Sequence, residues 1–201
     1  MLEVMLALDY LGSLMLFPLS YYSYKAYRVT RIQVFSYLFL GFTLLASGTF
    51  SHGLALTLLA LSRHARPSLE YLALISTTIS MIAETLAYLL IALGYANVSR
   101  VVTAAVLPLL RRSLPLSITL DFIDTLLLTY IAFSAFTIYS SKRERTSLVI
   151  ALSFTLLLAA HILQLASMLL LSKLLLTISR LSYFSGLAVL LYLTAEVGRA
   201  R

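Results

Sequence analysis

Several acidic residues lie inside long apolar stretches of the sequence, where an ionised side chain is costly. Four of them lie well within such stretches, namely Asp9, Glu84, Asp121 and Asp124, and Glu196 lies near the end of the last one. An ionisable group inside a bilayer costs at least about 2.5–3.5 kcal/mol on insertion scales. Groups of this kind commonly mark ion pathways and proton relays, so these acids are the first candidates for function.

Glu84 is the strongest of these candidates. Counting the helical rise from the nearest basic loop places Glu84 and Asp9 at similar depths near the middle of the membrane. We therefore predict a proton or cation site at Glu84, with Asp9 as its cross-helix neighbour and Asp121 as the counterpart of Asp9 in an internal repeat. The alternative is a protonated carboxyl that serves only packing. Tyr88, one helical turn after Glu84, would extend a polar stripe on the same face.

Two histidines lie in equally apolar surroundings. His52 lies in an uncharged stretch from Gln33 to Ser62, and His161 lies in a corresponding stretch later in the chain. Two imidazoles on two membrane helices are the ligand set of a b-type haem, but their depths differ by about one helical turn. A neutral histidine that forms hydrogen bonds between helices is the alternative. We expect the structural role and no bound cofactor, and haem b stays the alternative.

Other kinds of chemistry are excluded by composition and motif. The chain has no cysteine, so disulfides and thiolate metal sites cannot form. No third ligand has a spacing suited to zinc, so no metal site is expected. Metalloprotease, hydrolase and nucleotide-binding motifs are absent, which predicts a protein that is not an enzyme. The net charge of +7 comes from short loops between apolar runs, where basic residues meet lipid head groups rather than nucleic acid.

These residues must be positioned by membrane helices. The chain has 201 residues, of which 61% are hydrophobic and 11% charged, against about 25% charged in an ordinary soluble domain. Uncharged runs of 18 or more residues predict helices that cross a bilayer, and their lack of period-two alternation excludes a barrel. The predicted spans are Leu2–Tyr24, Gln33–Ser62, Leu69–Tyr95, Leu116–Tyr139, Ser147–Ser172 and Leu174–Val197.

An internal repeat organises these spans. A shift of 112 residues places LDYLGSLML (Leu8–Leu16) on LDFIDTLLL (Leu120–Leu128), and FTLL at Phe42 on FTLL at Phe154. We predict an all-α transmembrane bundle of two three-helix repeats, residues 1–95 and 114–201, joined by a short connector helix at 96–113. The connector makes about seven spans, with six as the alternative.

The basic residues favour the seven-span arrangement. With seven spans, nine of the 15 Lys and Arg fall on one side, whereas six spans would divide them almost evenly. We expect the chain to lie in the cell membrane. The positive-inside rule then predicts that the N-terminus is outside and the C-terminus is in the cytoplasm. In this topology residues 25–31 and 140–146 share one side of the membrane.

The first half also resembles a family. The loop Tyr24-Lys25-Ala26-Tyr27-Arg28 and the following Leu40-Gly41-Phe42 are similar to those of small archaeal three-helix membrane proteins of unknown function. The resemblance covers about the first 95 residues, and the second half lacks the Gly-Phe pair. It implies a tandem duplication of a three-helix unit and no particular activity. A single Asn and two Gln in the chain favour a thermophilic source.

Three classes of function stay open at this point. The first is a small transporter or channel with a carboxylate site near the middle of the membrane. The second is a non-catalytic accessory subunit of a membrane complex, and the third is a bis-histidine b-haem electron-transfer subunit. The expected partners are the lipid bilayer and either further copies of the chain or a membrane complex. The first class requires polar groups around Glu84, whereas the second does not.

Overall fold

Six long helices make up the part of the protein that the structure describes. The computed structural model describes residues 2–61, 67–95 and 115–199, with side chains described for 6–61, 71–95 and 115–196. These residues contain helices and tight turns and no β-strand. The helices are α1 (Leu2–Thr30), α2 (Gln33–Leu61), α3 (Pro67–Tyr95), α4 (Leu116–Lys142), α5 (Arg145–Leu170) and α6 (Lys173–Arg199). The prediction of an all-α helical bundle is confirmed.

The composition of these helices suits a membrane. Five are long and apolar enough to cross one, judged over the described residues: α2, Tyr71–Tyr95 of α3, α4, α5 and Lys173–Glu196 of α6. Helix α1 is not among the five, although its 29 residues would extend over about 43 Å. Large apolar side chains also face outward, as Phe133 and Leu169 do, which is the face that lipid would contact. A multi-pass membrane protein follows from this composition.

Tight turns join three pairs of successive helices. Each turn has two residues outside the helices, and the first of them has a left-handed backbone: Arg31 (φ 58°), Arg143 (φ 51°) and Leu171 (φ 50°). A left-handed residue is a common helix stop, because it lets the next amide return to the carbonyls of the last turn. The amide of Arg31 donates to Tyr27 O at 2.8 Å, and the amide of Arg143 donates to Tyr139 O at 2.7 Å. These turns make α1–α2, α4–α5 and α5–α6 antiparallel hairpins.

The six helices form a closed ring. Helix α2 packs between α1 and α3, and α5 packs between α4 and α6. The ring closes where α3 packs on α4 and where α1 packs on α6. The neighbours are the same in both halves: if α1, α2 and α3 are exchanged with α4, α5 and α6, every contact between two helices maps onto another contact of the ring. The repeat itself stays a prediction, and the predicted connector helix at 96–113 lies outside the described residues.

A pocket at one end of the ring gives the direction of the helices. Its volume is about 480 Å³, and Thr30, Tyr95, Thr146 and Thr194 are among the residues that line it. The ends of α1, α3 and α6 and the start of α5 therefore lie at this end. Since α4 ends beside the start of α5, helices α3 and α4 run in the same direction. Residues 25–31 and 140–146 accordingly share one end of the bundle, as the seven-span prediction requires.

Glycines bring α2 close to its neighbours. A Cβ atom at Gly41 would lie 2.6 Å from Ile91 Cγ1 of α3, and one at Gly48 would lie 3.2 Å from Ala83 Cβ. Gly53 faces α1 instead, next to Tyr10 and Asp9. Close approach of helix backbones at small residues is the usual packing mode inside a membrane. It positions His52, which lies beside Gly53, against α1.

Candidate ion-binding site

Glu84 of α3 faces α5 and forms a short polar chain with two other side chains. The Tyr88 hydroxyl donates to Glu84 Oε1 at 3.4 Å and lies 3.1 Å from His161 Nε2. His161 Nε2 is also 3.5 Å from Glu84 Oε1. The rings of Tyr88 and His161 meet edge to face with centroids 5.3 Å apart. Tyr88 lies on the same face of α3 as Glu84, as the sequence predicts, and the imidazole comes from the other half of the chain.

Two aspartates of α4 adjoin this chain. Asp121 Oδ1 accepts a hydrogen bond from Gln164 Nε2 of α5 at 3.1 Å. Asp124 lies one turn later on the same face of α4, with the Thr85 hydroxyl of α3 beside its carboxyl group. Both aspartates are only 1% exposed. One potential ligand atom from each of Asp121, Asp124 and His161 lies within 4.8 Å of the other two.

We call these six residues the core cluster: Glu84, Tyr88, Asp121, Asp124, His161 and Gln164. Arg180 of α6 lies within electrostatic range of Glu84 and Asp121 and adds a positive charge at its edge. The Glu84 side chain is 25% exposed, against 3% for His161. Glu84 is therefore one point at which the cluster meets the accessible surface of the bundle, and Gln164 is also partly exposed.

The members of the core cluster on α4 and α5 lie nearer one end of their helices than the other. Asp121 is five residues from the start of α4 and 21 from its end, and His161 is nine residues from the end of α5. At 1.5 Å per residue, these positions are about 8 and 14 Å from the end that carries the α5–α6 turn. Asp121 therefore lies closer to that end than to the middle of α4.

A second polar pair lies in the first half of the chain. Asp9 Oδ2 of α1 is 3.0 Å from His52 Nδ1 of α2. One turn further along, the Tyr10 hydroxyl is 2.9 Å from Thr57 Oγ1. Both contacts join α1 to α2 where Gly53 lets the helices approach. The lone imidazole in the apolar stretch of α2 is therefore a cross-helix partner for a carboxylate.

The two halves place equivalent polar contacts at equivalent positions. Asp9 and His52 are 43 residues apart, and so are Asp121 and Gln164. A shift of 112 residues, the same that aligns the sequence repeat, converts the first pair into the second. It also converts the turn at Tyr27 and Arg31 into the turn at Tyr139 and Arg143. The halves differ where the core cluster adds Asp124 and His161, which align with Gly12 and Thr49.

The structure separates residues that the sequence analysis grouped. Asp9 was predicted to support Glu84 across the helix interface, and this is wrong: Asp9 pairs with His52, whereas Glu84 contacts Tyr88 and His161. The error arose because equal depth on two helices does not specify which faces meet. Asp121, the third residue of the predicted site, does lie in the same cluster as Glu84.

Asp124 and Gln164 were not assigned to the predicted site, although the sequence carried a signal for the aspartate. Asp121 and Asp124 are spaced i, i+3, which puts two acids on one face of a buried helix. His161 was expected to lack partners at metal-ligand spacing, but its neighbours come from α4, a helix that is far from it in sequence. Gln164 of α5 completes the cluster, and Arg180 of α6 lies at its edge.

The two predicted haem ligands lie in separate polar groups. His52 contacts Asp9 of α1, and His161 contacts Tyr88 and Glu84 of α3. One ring nitrogen of each histidine is thus occupied by a different partner. The structure does not bring the two imidazoles together as a facing pair.

Comparison with known proteins adds no family or relative to this description. No family model matches the chain, and no curated protein or solved structure is found to be similar to it.

Proposed function

We propose that the protein is a small transporter or channel that binds a cation at the core cluster inside its helical bundle. The observation that carries the proposal is the convergence of Glu84, Asp121 and Asp124 on one imidazole. Three carboxylates in such a bundle oppose one another electrostatically and attract cations. Ionisable side chains are expensive inside a membrane, and a purely structural role would be served as well by apolar packing.

The position of Glu84 supports the same proposal. A site that exchanges ions needs a group that reaches both the buried ligands and the accessible surface. Glu84 is one-quarter exposed and contacts the buried His161. An accessory subunit held in a complex by apolar helix faces would need neither the exposed carboxylate nor the buried ones.

Cation flux into liposomes tests this function. Purified protein is reconstituted, and the entry of protons, Na⁺, K⁺ and divalent cations is followed with indicators enclosed in the vesicles. We expect flux of at least one cation above that of protein-free liposomes, and its loss in the double variant Asp121→Asn/Asp124→Asn. The amide retains the shape of each side chain and removes its charge.

The matched control is Glu144→Gln, which makes the same chemical change at an exposed residue in the α4–α5 turn. It should transport like the wild type. Absence of flux for every cation tested, or a double variant as active as the wild type, would contradict the proposal.

A further inference from the structure

Three buried polar atoms in the core cluster have no hydrogen-bond partner among the described residues. They are Asp121 Oδ2, Asp124 Oδ1 and His161 Nδ1. The same three side chains each offer a ligand atom within 4.8 Å of the others, and they are 1–3% exposed. A buried polar atom without a partner is costly, so a coincidence of three indicates a group that binds between them.

Polar contacts on the far side of His161 involve its Nε2 and leave its Nδ1 available to a ligand. The Tyr88 hydroxyl has one hydrogen, which it donates to Glu84 Oε1. With that hydrogen on Glu84, the hydroxyl oxygen can accept from His161 Nε2, 3.1 Å away, in the tautomer that carries the ring proton on Nε2. The proton-free lone pair is then on Nδ1, the nitrogen that lacks a partner. Metal-binding histidines commonly donate their other N–H to a carboxylate or another acceptor in this way.

Asp121 is oriented in the same manner. Gln164 donates to its Oδ1, which leaves Oδ2 as the atom without a partner. Asp124 Oδ1 likewise has no partner among the described residues, and the nearby Thr85 hydroxyl donates to Met81 O within α3 at 3.1 Å. Asp121 and His161 thus each have a supporting polar group on one side, and all three side chains have an unoccupied ligand atom on the other.

Charge and distance both suit a divalent ion. With its three carboxylates ionised, the core cluster has a charge of about −3, and Arg180 reduces the local total to about −2. A divalent cation would neutralise the remainder, which buried charges require. Ligand atoms around a metal at about 2.1 Å lie about 3.3–4.2 Å apart. A separation of at most 4.8 Å needs only a small inward movement of the side chains.

We infer that Asp121, Asp124 and His161 bind a divalent first-row transition metal ion. An imidazole among the ligands favours such a metal over Mg²⁺ or Ca²⁺, which prefer oxygen. The absence of thiolates from this cysteine-free chain argues against Cu⁺. The inference rests on the proposed function in taking this metal as the cation that the protein carries.

Metal binding in detergent tests the site without any transport assay. Purified protein is stripped with a chelator, equilibrated with Zn²⁺ or Co²⁺ and separated from free metal, and its metal content is measured. Affinity is measured by calorimetry. We expect one ion per chain and a visible absorption band from bound Co²⁺. Asp124→Asn and His161→Gln should each weaken binding by tenfold or more.

Tyr88→Phe tests a positioning residue. Removal of the hydroxyl leaves His161 Nε2 with only Glu84 Oε1, 3.5 Å away, as an acceptor, so affinity should fall by about 10- to 100-fold and the Co²⁺ band should change shape. A residue with only a packing role would leave the spectrum unchanged. An unaltered affinity and spectrum in this variant would contradict the assigned role of Tyr88.

Matched controls come from the first half of the chain. Asp9→Asn and His52→Gln remove a carboxylate and an imidazole from the equivalent polar pair, and each should bind one ion with the affinity of the wild type. The inference is overturned if the wild type binds no ion or prefers Mg²⁺ or Ca²⁺. It is also overturned if the controls lose the ion as the cluster variants do. The metal content and affinity of the wild type test the inference even where a variant fails to fold.

The two proposals fail in different ways. Metal bound at one ion per chain without flux of any cation would retain the metal site and overturn the transporter. Flux of another cation by a protein that binds no transition metal would retain the transporter and overturn the metal site.

Discussion

At the scale of single residues, His52 illustrates how the bundle accommodates an isolated polar group. Its imidazole faces the Asp9 carboxylate, and both are partly buried between α1 and α2. In the second half, Gln164 occupies the equivalent position and donates to Asp121. A glutamine side chain at this position of α5 therefore reaches the aspartate of α4. A histidine here serves the contact rather than a reaction.

This equivalence predicts different outcomes for two substitutions at His52. His52→Gln should retain a hydrogen bond to Asp9 and unfold at nearly the wild-type temperature. His52→Ala leaves the carboxylate without its partner and should lower the free energy of unfolding by about 1–3 kcal/mol. Thermal unfolding in detergent measures both. Equal stability of the two variants would show that the contact contributes nothing.

The sequence predicted individual site residues better than their partners. Glu84, Asp121 and His161 stand out because ionisable groups are rare in apolar runs, and all three belong to the core cluster. Their partners depend on which helix faces meet, and a helix that is apolar all round gives no amphipathic signal to identify that face. The pairing of Asp9 with Glu84 failed for this reason.

At the scale of helices, the boundaries followed closely from composition. The start of α2 at Gln33 and the end of α3 at Tyr95 match the predicted spans. Helices α1 and α4 continue six and three residues beyond the apolar boundary, to Thr30 and Lys142. Backbone hydrogen bonds continue a helix into the polar interface until a left-handed residue stops it, so hydropathy alone underestimates helix length there.

Packing of α2 on α3 gives a prediction at this scale. A methyl group at Gly41 would meet Ile91 at 2.6 Å and the Ala87 carbonyl at 3.0 Å, so Gly41→Ala should force the helices apart. We expect a loss of about 1–3 kcal/mol in unfolding free energy, measured by thermal unfolding in detergent. Gly12→Ala is the control, because its nearest contact with Phe184 would be 3.5 Å. A control as unstable as Gly41→Ala would contradict the packing explanation.

At the scale of the whole molecule, the direction of the helices gives a prediction about topology. Single cysteines in this cysteine-free chain can be labelled from either side of the membrane. Arg28→Cys and Ser141→Cys lie at the end with the pocket and should react from one face. Lys173→Cys, at the α5–α6 turn, should react from the other. Labelling of positions 28 and 141 from opposite faces would contradict the seven-span topology and favour six spans.

The closure of the ring could not be predicted from the sequence. The repeat suggested two units, but the contacts of α3 with α4 and of α1 with α6 join surfaces that carry no distinctive motif. The core cluster depends on one of these contacts, since Glu84 and Tyr88 come from the first half and their partners from the second. A site whose residues come from both units cannot be predicted from the sequence of either unit alone.

The two-residue turns have a mechanical consequence for the core cluster. They tie α1 to α2 and α4 to α5 to α6, so these helices cannot slide past one another without unwinding an end. Helix α2 is held on α3 by the close contacts at Gly41 and Gly48, so shear is easiest along the α3–α4 and α1–α6 contacts, where the halves meet. Glu84 and Tyr88 lie on the first of these contacts, opposite His161. An ion bound there would join the two halves of the bundle. Rocking of one half against the other would then open and close the ion site.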